Sequence, residues 1–366
     1  MPILNKIVVK DFRNIAFQEL AFSPRVNCIS GNNGEGKTNL LDAIYYLSMT
    51  KSALSPSDRP NIRHGMQEFQ VGGLYTMMDG QQERIAVRFS ATGEKKVSRG
   101  DKVYSRISDH IGLIPVVMVS PGDGALVSES GAERRRFANA VLSQTDRAYL
   151  SAIQQYNRLL QQRNALLKDG EAEEALLGVL DERMEAAGRP VFEARKRFVE
   201  DLNPIVQRYY RQISGGSEEV GIEYSSDLSG GSLADVLRAG REKDRILRYT
   251  GAGIQRDEIL FRMDGHPIRR FGSQGQQKSF LVALKFAEYE IMKGRSGVDP
   301  ILLLDDVFDK LDLGRISNLI AMVAGNGFSQ IFLTDCDPGR LSRIVDEITA
   351  DRAYFSASGG IFNPVG

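Results

Sequence analysis

Cysteine is scarce in this sequence of 366 residues, and neither sign of charge is in excess. The two cysteines, Cys28 and Cys336, are too few for a disulfide framework, and neither lies in a CxxC pair of the kind that binds zinc. We expect both to be small buried apolar residues. The 47 basic residues balance the 47 acidic ones, which excludes a positive field over the whole molecule. Any binding of a polyanion must therefore depend on local patches.

Long apolar runs are also missing. No run approaches the roughly 18 residues that a membrane span needs, and Met1–Lys6 lacks the apolar core of a signal peptide. Internal repeats and low-complexity segments are absent, and 42% hydrophobic with 26% charged residues is an ordinary composition for a folded protein. These absences exclude disorder and collagen-like repeats, and we expect a folded protein of the cytoplasm.

The order of the predicted elements indicates an α/β fold that is interrupted by a helical segment. Short strands separated by Gly, Pro and Asp turns fill the first hundred residues, helical periodicity follows, and mixed α/β sequence returns afterwards. A length of 366 residues suits roughly two domains or one large α/β body with an insertion. We divide the chain into an N-terminal α/β part (1–130), an inserted helical lobe (131–250) and a C-terminal α/β part (251–366).

Three helices are predicted within the helical lobe. Thr145 and Asp146 can cap the first helix, and Gly170 ends it. A second helix begins at Glu171. A longer third helix is entered after Pro190, and Pro204 should kink it because proline removes one backbone hydrogen bond.

The strongest motif fits the pattern G-x-x-x-x-G-K-[ST] and lies between a predicted strand, Val26–Ile29, and a predicted helix. Its glycines let the backbone fold around a phosphate chain, so that successive N–H groups and the positive end of the helix point at the anion. Lys37 would reach the β- and γ-phosphates of a nucleotide, and the Thr38 hydroxyl would bind Mg²⁺. The predicted nucleotide-binding residues are Gly31, Asn32, Asn33, Gly34, Glu35, Gly36, Lys37 and Thr38.

A second motif is the apolar run Ile301–Leu304, which is followed by Asp305 and Asp306. A buried strand that ends in carboxylates can deliver one of them to a metal at the C-terminal edge of a parallel sheet. Asp305 would hold Mg²⁺, directly or through water. Asp306 would orient the attacking water or accept its proton. The predicted catalytic residues are Asp306 and Lys37. An apolar strand followed by two aspartates is common in proteins of many functions. It indicates a metal site here because the sequence also contains the glycine-rich loop.

The third motif, Phe271–Lys278, precedes another predicted helix. It offers a serine hydroxyl and a glycine N–H to an anion. Here the sequence resembles the ABC-type ATPases, whose signature S-G-G-Q corresponds to Ser273, Gln274, Gly275 and Gln276. A simple capped turn is the alternative. The resemblance implies an ABC-type P-loop ATPase head with an inserted helical lobe, and a homodimer in which each signature touches the nucleotide held by the other subunit. Asp309–Asp312 matches the position of that superfamily's D-loop.

Several stretches carry a narrower resemblance, namely Asp11–Asn14, Thr38–Ile44, Ser120–Asp123, Tyr156–Lys168, Ser273–Lys278 and Leu303–Phe308. They resemble the RecF family, a bacterial family similar to the SMC and Rad50 ATPases. The matches run from residue 4 to about residue 335. This resemblance implies ATP and Mg²⁺ as cofactors, slow ATP hydrolysis, and binding of single- and double-stranded DNA at gaps. It also implies recombinase loading in DNA repair, replication restart and the SOS response, together with RecR and RecO.

Two departures from the expected patterns stand out. The RecF family usually has Gly-Pro-His-Arg-Asp-Asp near the end of the inserted lobe, whereas this chain has Gly253–Glu258, with Gln255 in place of the histidine. Transport-type ABC ATPases place a histidine after the last core strand, whereas this chain has Leu333–Asp335 there. Without a histidine contact to the γ-phosphate we expect slow hydrolysis, with ATP acting mainly as a dimerisation switch. The three histidines lie elsewhere, at His64, His110 and His266.

Charge is uneven along the chain although its sum is zero. Residues 236–295 contain 13 basic and 7 acidic residues, a local net charge of +6, whereas residues 296–366 contain 5 basic and 10 acidic ones. A basic region suits phosphate backbone binding without base reading, and an ordinary solvated face is the alternative. For the adenine of ATP, Arg13 is a weak candidate contact, and an ordinary surface arginine is equally compatible. The candidate DNA-binding residues are Arg134, Arg135, Arg136, Arg256, Arg269 and Arg270.

Three other functions remain as alternatives. The missing histidine and the RecF-like stretch Tyr156–Lys168 argue against an ATP-binding subunit of a transporter. A Rad50-type nuclease head would need a long coiled coil, but only 235 residues separate Thr38 from Ser273. A DNA-binding protein with a vestigial ATP site would bind DNA and dimerise unchanged after Lys37→Ala.

Overall fold

The computed structural model describes residues 1–129, 131–169, 173–216, 218–308, 311, 313–324, 327–346 and 349–365. Within these residues, every helix is too short or too polar to cross a membrane. The strands are β1 (Ile3–Phe12), β2 (Ile15–Ala21), β3 (Val26–Ser30), β4 (Glu68–Thr76), β5 (Gln82–Ser90), β6 (Lys95–Arg99), β7 (Lys102–Val103), β8 (Val116–Val119), β9 (Val220–Ser225), β10 (Glu258–Met263), β11 (His266–Pro267), β12 (Ile301–Leu304), β13 (Ile331–Asp335), β14 (Arg352–Ser358) and β15 (Ile361–Val365). The helices are α1 (Lys37–Met49), α2 (Gly124–Ser128), α3 (Gly131–Thr145), α4 (Arg147–Asp169), α5 (Glu174–Ser214), α6 (Leu233–Ala239), α7 (Arg241–Leu247), α8 (Ile268–Phe271), α9 (Gln274–Ser296), α10 (Leu313–Ala324) and α11 (Pro338–Val345).

The chain divides into two compact units. The first comprises Met1–Gly124, Gln212–Gly215 and Gln274–Gly366, and the second comprises Ala125–Arg211 and Gly216–Ser273. The second unit is therefore inserted into the sequence of the first. The predicted division of the chain into an N-terminal α/β part, a helical lobe and a C-terminal α/β part, with boundaries at residues 130 and 250, stays a prediction.

A mainly parallel sheet forms one layer of the first unit. Its strand order is β15-β14-β3-β13-β12-β8, and only the β14–β15 pair is antiparallel. The central strands are buried on both faces, as parallel strands usually are, and all four residues of β12 are buried as predicted. Because β3, β12 and β13 run in the same direction, the loops that follow them meet at one edge of the sheet. This edge contains the candidate site.

The second layer is an antiparallel sheet with the strand order β2-β1-β4-β5-β6-β7. Helix α1 contacts β1, β4 and β5 of this sheet and β8 and β13 of the parallel sheet. Buried residues therefore occur around most of its circumference and not on a single face. Edge-to-face contacts join Tyr46 to Phe12 and Phe69 and fill the space between α1 and the antiparallel sheet.

The second unit combines helices with the three-stranded sheet β11-β10-β9. Asp146 caps α4 as predicted, since its carboxylate accepts the N–H groups of Ala148 and Tyr149 at 2.8 and 3.0 Å. Thr145 is instead the last residue of α3. The predicted end of that helix at Gly170 and the predicted start of the next at Glu171 lie outside the described residues.

Helix α5 is one continuous helix of 41 residues that contains Pro190 and Pro204. The prediction of separate helices before and after Pro190 was wrong. The reason is a buried stripe that repeats every three or four residues across both prolines, so that side-chain burial offsets the lost backbone hydrogen bonds. The residues of this stripe include Leu177, Leu180, Met184, Val191, Phe198, Leu202, Val206 and Tyr210.

Candidate functional site

The glycine-rich loop after β3 has a compact backbone in which Gly31 and Gly36 make close contacts. Gly36 has a φ of 103°, and a Cβ there would lie 2.7 Å from Nδ2 of Asn14. A Cβ on Gly31 would lie 2.5 Å from the carbonyl oxygen of Ala357. The left-handed conformation and these close approaches exclude a side chain at either position. The loop thus has the compact form that a phosphate-binding loop needs.

Lys37 lies inside the curve of this loop with only 4% of its surface exposed. Its Nζ donates to the carbonyl oxygens of Gly31 at 2.7 Å and Asn32 at 3.2 Å, and contacts Sγ of Cys336 at 3.5 Å. Cys336 in turn donates to Oδ1 of Asn33 at 3.0 Å. The ammonium group is therefore fixed at the centre of the loop, where a phosphate chain would need a positive charge.

The two cysteines differ in their surroundings. Cys28 is buried in β3 as expected, and burial raises the pKa of its thiol to about 12. Cys336 is exposed, so the expectation that both cysteines are buried was wrong for this one. It follows the last residue of β13, at the sheet edge where loops leave the core.

Asp305 lies at the end of β12 and is fully buried. Its Oδ2 accepts the Thr38 hydroxyl at 2.7 Å, and its Oδ1 accepts the Thr334 hydroxyl at 2.6 Å. Burial raises the pKa of Asp305, and both hydrogen bonds oppose this shift. A hydroxyl oxygen and a carboxylate oxygen at this distance are hard donors of the type that Mg²⁺ prefers, so the predicted pair Thr38 and Asp305 fits the ion.

Asp306 follows with a strained backbone. Its φ of 45° is in the left-handed region, which is uncommon for a residue with a side chain. Its N–H donates to the Thr334 hydroxyl at 3.0 Å, and the side chain is half-buried. Strain of this kind persists where the surrounding structure fixes it, and it is frequent at active sites. Asp305 is thus fully buried, whereas Asp306 in the turn is only half-buried.

The C-terminal hairpin β14–β15 also contacts the glycine-rich loop. The N–H of Gly360 donates to the carbonyl oxygen of Glu35 at 2.9 Å, and the N–H of Gly359 donates to the Glu35 carboxylate. The tight turn formed by these two glycines therefore holds the middle of the loop in place.

Arg13, the candidate for adenine binding, is held by an ion pair. Its Nε donates to Asp42 at 3.1 Å, its Nη2 donates to the Ser52 hydroxyl at 3.1 Å, and its side chain is 20% exposed. These contacts attach the loop after β1 to α1. The adenine contact stays a prediction.

The predicted signature marks the start of α9. Ser273 directly precedes the helix, and Gln274, Gly275 and Gln276 form its first turn. The carbonyl oxygen of Gly275 accepts Nη1 of Arg315 at 3.2 Å, which connects this turn to α10. Asp309, Lys310 and Asp312 of the predicted D-loop lie outside the described residues.

The end of β13, where transport-type ATPases have a histidine, contains Asp335. Its carboxylate accepts two hydrogen bonds from Arg340, from Nε at 2.6 Å and from Nη2 at 2.5 Å. Its carbonyl oxygen accepts the N–H of Gly31 at 3.3 Å. Asp335 therefore joins an arginine to the glycine-rich loop.

The candidate DNA-binding arginines have different surroundings. Arg134 is buried, and its guanidinium donates to the carbonyl oxygens of Leu126 and Glu129. Arg135 donates to the carbonyl oxygen of Asp257 at 2.7 Å. These two side chains therefore stabilise the second unit itself. The side chains that face solvent are Arg136, Arg256, Arg269 and Arg270.

The basic region between residues 236 and 295 is partly neutralised in the folded chain. Several of its cations lie within 4 Å of carboxylates, which lowers the charge that a polyanion would meet. They are Arg238, Arg241, Arg245, Arg262, Lys285 and Lys293.

Gln255, which stands in place of the family histidine, has a structural role. Its Oε1 accepts the Tyr156 hydroxyl at 2.5 Å, and its Nε2 donates to the carbonyl oxygen of Ala252 at 2.7 Å. Asp257, two residues after Gln255, is buried and accepts Nη1 of Arg195 at 2.7 Å. This segment therefore anchors the helices of the second unit.

Sequence reasoning missed three contributors to the site. Thr334 and Arg340 become neighbours of the motif residues only through the parallel pairing of β13. The Gly359–Gly360 turn could have been found, since two glycines between alternating apolar residues are a hairpin signal.

Comparison with known proteins agrees with this architecture. A family model for the RecF/RecN/SMC N terminal domain matches residues 3–350. The DNA replication and repair protein RecF of Bacteroides fragilis (strain YCH46) is 44% identical over 362 residues, with 99% of this chain and 98% of that protein covered. RecF of Parabacteroides distasonis is 45% identical over 363 residues, with 99% of each covered.

Solved structures give the same result for the fold. The recombination mediator protein RecF-ATP of the RecFOR pathway has a TM-score of 0.90 at 28% identity, covering 100% of this chain and 98% of that one. The Smc head domain derived from Pyrococcus furiosus has a TM-score of 0.60 at 16% identity, covering 100% and 96%, and shows the fold alone. This chain has the α/β fold of an ABC-type ATPase head with an inserted helical lobe, and it belongs to the RecF family of DNA replication and repair proteins.

Proposed function

We propose that this chain is an ATP-dependent, DNA-binding recombination mediator that dimerises on ATP and hydrolyses it slowly. It binds single- and double-stranded DNA at gaps and helps to load the recombinase in DNA repair, replication restart and the SOS response. RecR and RecO are its proposed partners, and the cytoplasm, where bacterial DNA lies, is its proposed location. The observation that carries this proposal is the hydrogen bond between Thr38 and Asp305 beside the buried Lys37.

Each residue of the site has a proposed task. The N–H groups of the loop after Gly31 and of the start of α1 bind the phosphate chain, whereas the N–H of Gly31 itself is donated to Asp335. Lys37 compensates the charge of the β- and γ-phosphates. Thr38 and Asp305 hold Mg²⁺, which when bound neutralises charge that develops on the phosphate oxygens. Asp306 orients the attacking water or accepts its proton.

A second copy of the chain completes the site in this proposal. Ser273, Gln274, Gly275 and Gln276 of one copy contact the γ-phosphate held by the other, so a twofold dimer encloses two nucleotides. The exposure of Ser273 and Gln274 at the start of α9 supports this assignment, because a partner can reach them. The presence of Asp335 in place of the histidine of transport-type ATPases supports slow hydrolysis.

DNA binding is proposed for the solvent-facing arginines of the second unit. Arg136, Arg256, Arg269 and Arg270 can reach phosphates, whereas Arg134 and Arg135 contribute by fixing the fold that presents them. Because arginines that contact only phosphates read no sequence, we expect DNA affinity to fall with salt and to depend on strand structure.

Sedimentation of the purified chain tests the proposal. We expect a monomer without nucleotide, a dimer with ATP and Mg²⁺, and a larger complex when gapped DNA is added. Lys37→Ala should abolish the ATP-dependent dimer, because the phosphate chain loses its central cation. Unchanged dimerisation and DNA binding by Lys37→Ala would instead favour the vestigial ATP site. The matched control is Lys10→Ala, an exposed lysine at a different place in the first unit.

A further inference from the structure

Arg340 is a cation at the edge of the candidate site to which the proposed function assigns no task. It lies in α11, which follows β13, and its guanidinium binds both carboxylate oxygens of Asp335 through Nε and Nη2. Its Nη1 makes no hydrogen bond within the described part of the chain. Its side chain is 36% exposed. One end of the guanidinium is thus fixed, and the other is accessible from solvent.

The contacts around this ion pair connect Arg340 to both motifs of the site. The carbonyl oxygen of Asp335 accepts the N–H of Gly31, the first residue of the glycine-rich loop. The next residue, Cys336, contacts the ammonium group of Lys37. The guanidinium carbon of Arg340 lies 5.9 Å from the ring centroid of Phe308, two residues after Asp306. Arg340 is therefore linked through Asp335 to the loop that follows β3, and its guanidinium lies beside Phe308 of the loop that follows β12.

We propose that Arg340 is a catalytic residue of the ATP site, which contacts the γ-phosphate through Nη1 within the same chain, and that Asp335 is its positioning residue. This inference rests on the proposed function of ATP binding. It assigns a γ-phosphate contact to the end of β13, where this chain has no histidine. The assigned ligand group is a terminal phosphate, so the residue should distinguish a nucleoside triphosphate from a diphosphate.

The chemistry of arginine suits this task. A guanidinium stays charged at all physiological pH values and has donors on two edges, so it can bind a carboxylate with one edge and a phosphate with the other. Asp335 is 2% exposed, and this buried carboxylate fixes the side-chain orientation before nucleotide arrives. Arg340 exchanges no proton during hydrolysis. The water oxygen bonds to the γ-phosphorus, the bond to the ADP oxygen breaks with its electron pair, and the guanidinium stabilises the negative charge of the transferred group.

Nucleotide binding and turnover by Arg340→Ala and Arg340→Lys test this proposal. We expect an ADP affinity within about twofold of wild type, because ADP lacks the γ-phosphate, and a loss of at least about tenfold in both ATP affinity and kcat. Arg343→Ala is the matched control, since Arg343 is an exposed arginine of the same helix. Its ATP and ADP affinities should equal those of wild type. An unchanged ratio of ATP to ADP affinity together with an unchanged kcat in both Arg340 variants would overturn the proposal.

Removing Arg340 alone leaves the buried Asp335 carboxylate without its cation, which can prevent folding. The double variant Asp335→Asn with Arg340→Gln removes both charges and keeps polar side chains at both positions. We expect the same loss of discrimination between ATP and ADP. A folded double variant with wild-type discrimination and turnover would overturn the inference while leaving ATP binding by the chain intact. A wild-type chain that binds neither nucleotide would overturn this inference and the proposed function together.

Discussion

One threonine hydroxyl at the end of β13 organises the carboxylates at the end of β12. Thr334 donates to Asp305 and accepts the N–H of Asp306, so a single side chain fixes the metal-binding candidate and the strained turn after it. The motifs predicted Thr38, Asp305 and Asp306 from their own sequence. No motif predicted Thr334, because its role exists only once β12 and β13 pair in this register.

Thr334→Val should reduce ATP turnover more than nucleotide binding. Valine keeps the shape but removes the hydroxyl, so Asp305 loses one of its two orienting hydrogen bonds and the Asp306 N–H loses its acceptor. Loss of such an outer partner of a metal ligand typically costs about 10–100-fold in metal affinity or activity. Steady-state hydrolysis at several Mg²⁺ concentrations measures this effect. Thr334→Ser, which keeps the hydroxyl, should retain most of the activity, and equal damage by both variants would contradict the assigned role.

At the scale of elements, local signals identified β3, β12 and α1 but failed where packing overrides propensity. The start of α1 after Gly36 follows from the glycine-rich motif, and the cap of α4 follows from Asp146. Pro190 and Pro204 are helix-breaking signals in any local reading. They are tolerated in α5 because its buried stripe continues on both sides of each proline, and burial of these side chains depends on neighbours that are distant in sequence.

Pro204→Ala should stabilise the second unit. Pro204 is exposed within α5, so alanine can restore a helical N–H without removing a buried contact. In a helix interior, alanine is more favourable than proline by about 3 kcal/mol. Alanine also leaves the unfolded chain more flexible, which lowers the free energy of unfolding by about 0.4–1 kcal/mol. We therefore expect the free energy of unfolding to rise by about 2 kcal/mol.

Urea denaturation followed by far-UV circular dichroism measures this change. The control is Pro24→Ala in the turn between β2 and β3, where alanine gains no helical hydrogen bond and should lower stability slightly. A loss of stability in Pro204→Ala would mean that the proline ring packs favourably where it stands.

For the whole molecule, sequence predicted an α/β body with a helical insertion, and the structure contains both. It did not predict the strand order β15-β14-β3-β13-β12-β8 or the two-sided burial of α1, because both depend on pairing between distant segments. The site is likewise assembled from loops that are about 300 residues apart in sequence, as in the contact between Lys37 and Cys336. Its remaining part is proposed to come from a second molecule.

Mixing two inactive variants tests this central proposal most directly. Lys37→Ala damages the phosphate loop, and Ser273→Glu places a negative charge where the signature would meet the partner's γ-phosphate. Each variant alone should lack ATP hydrolysis. In a mixed dimer, the intact loop of the Ser273→Glu chain meets the intact signature of the Lys37→Ala chain, so an equal mixture should recover up to about a quarter of wild-type activity. A mixture as inactive as its components, or wild-type hydrolysis by Ser273→Glu alone, would contradict the shared site.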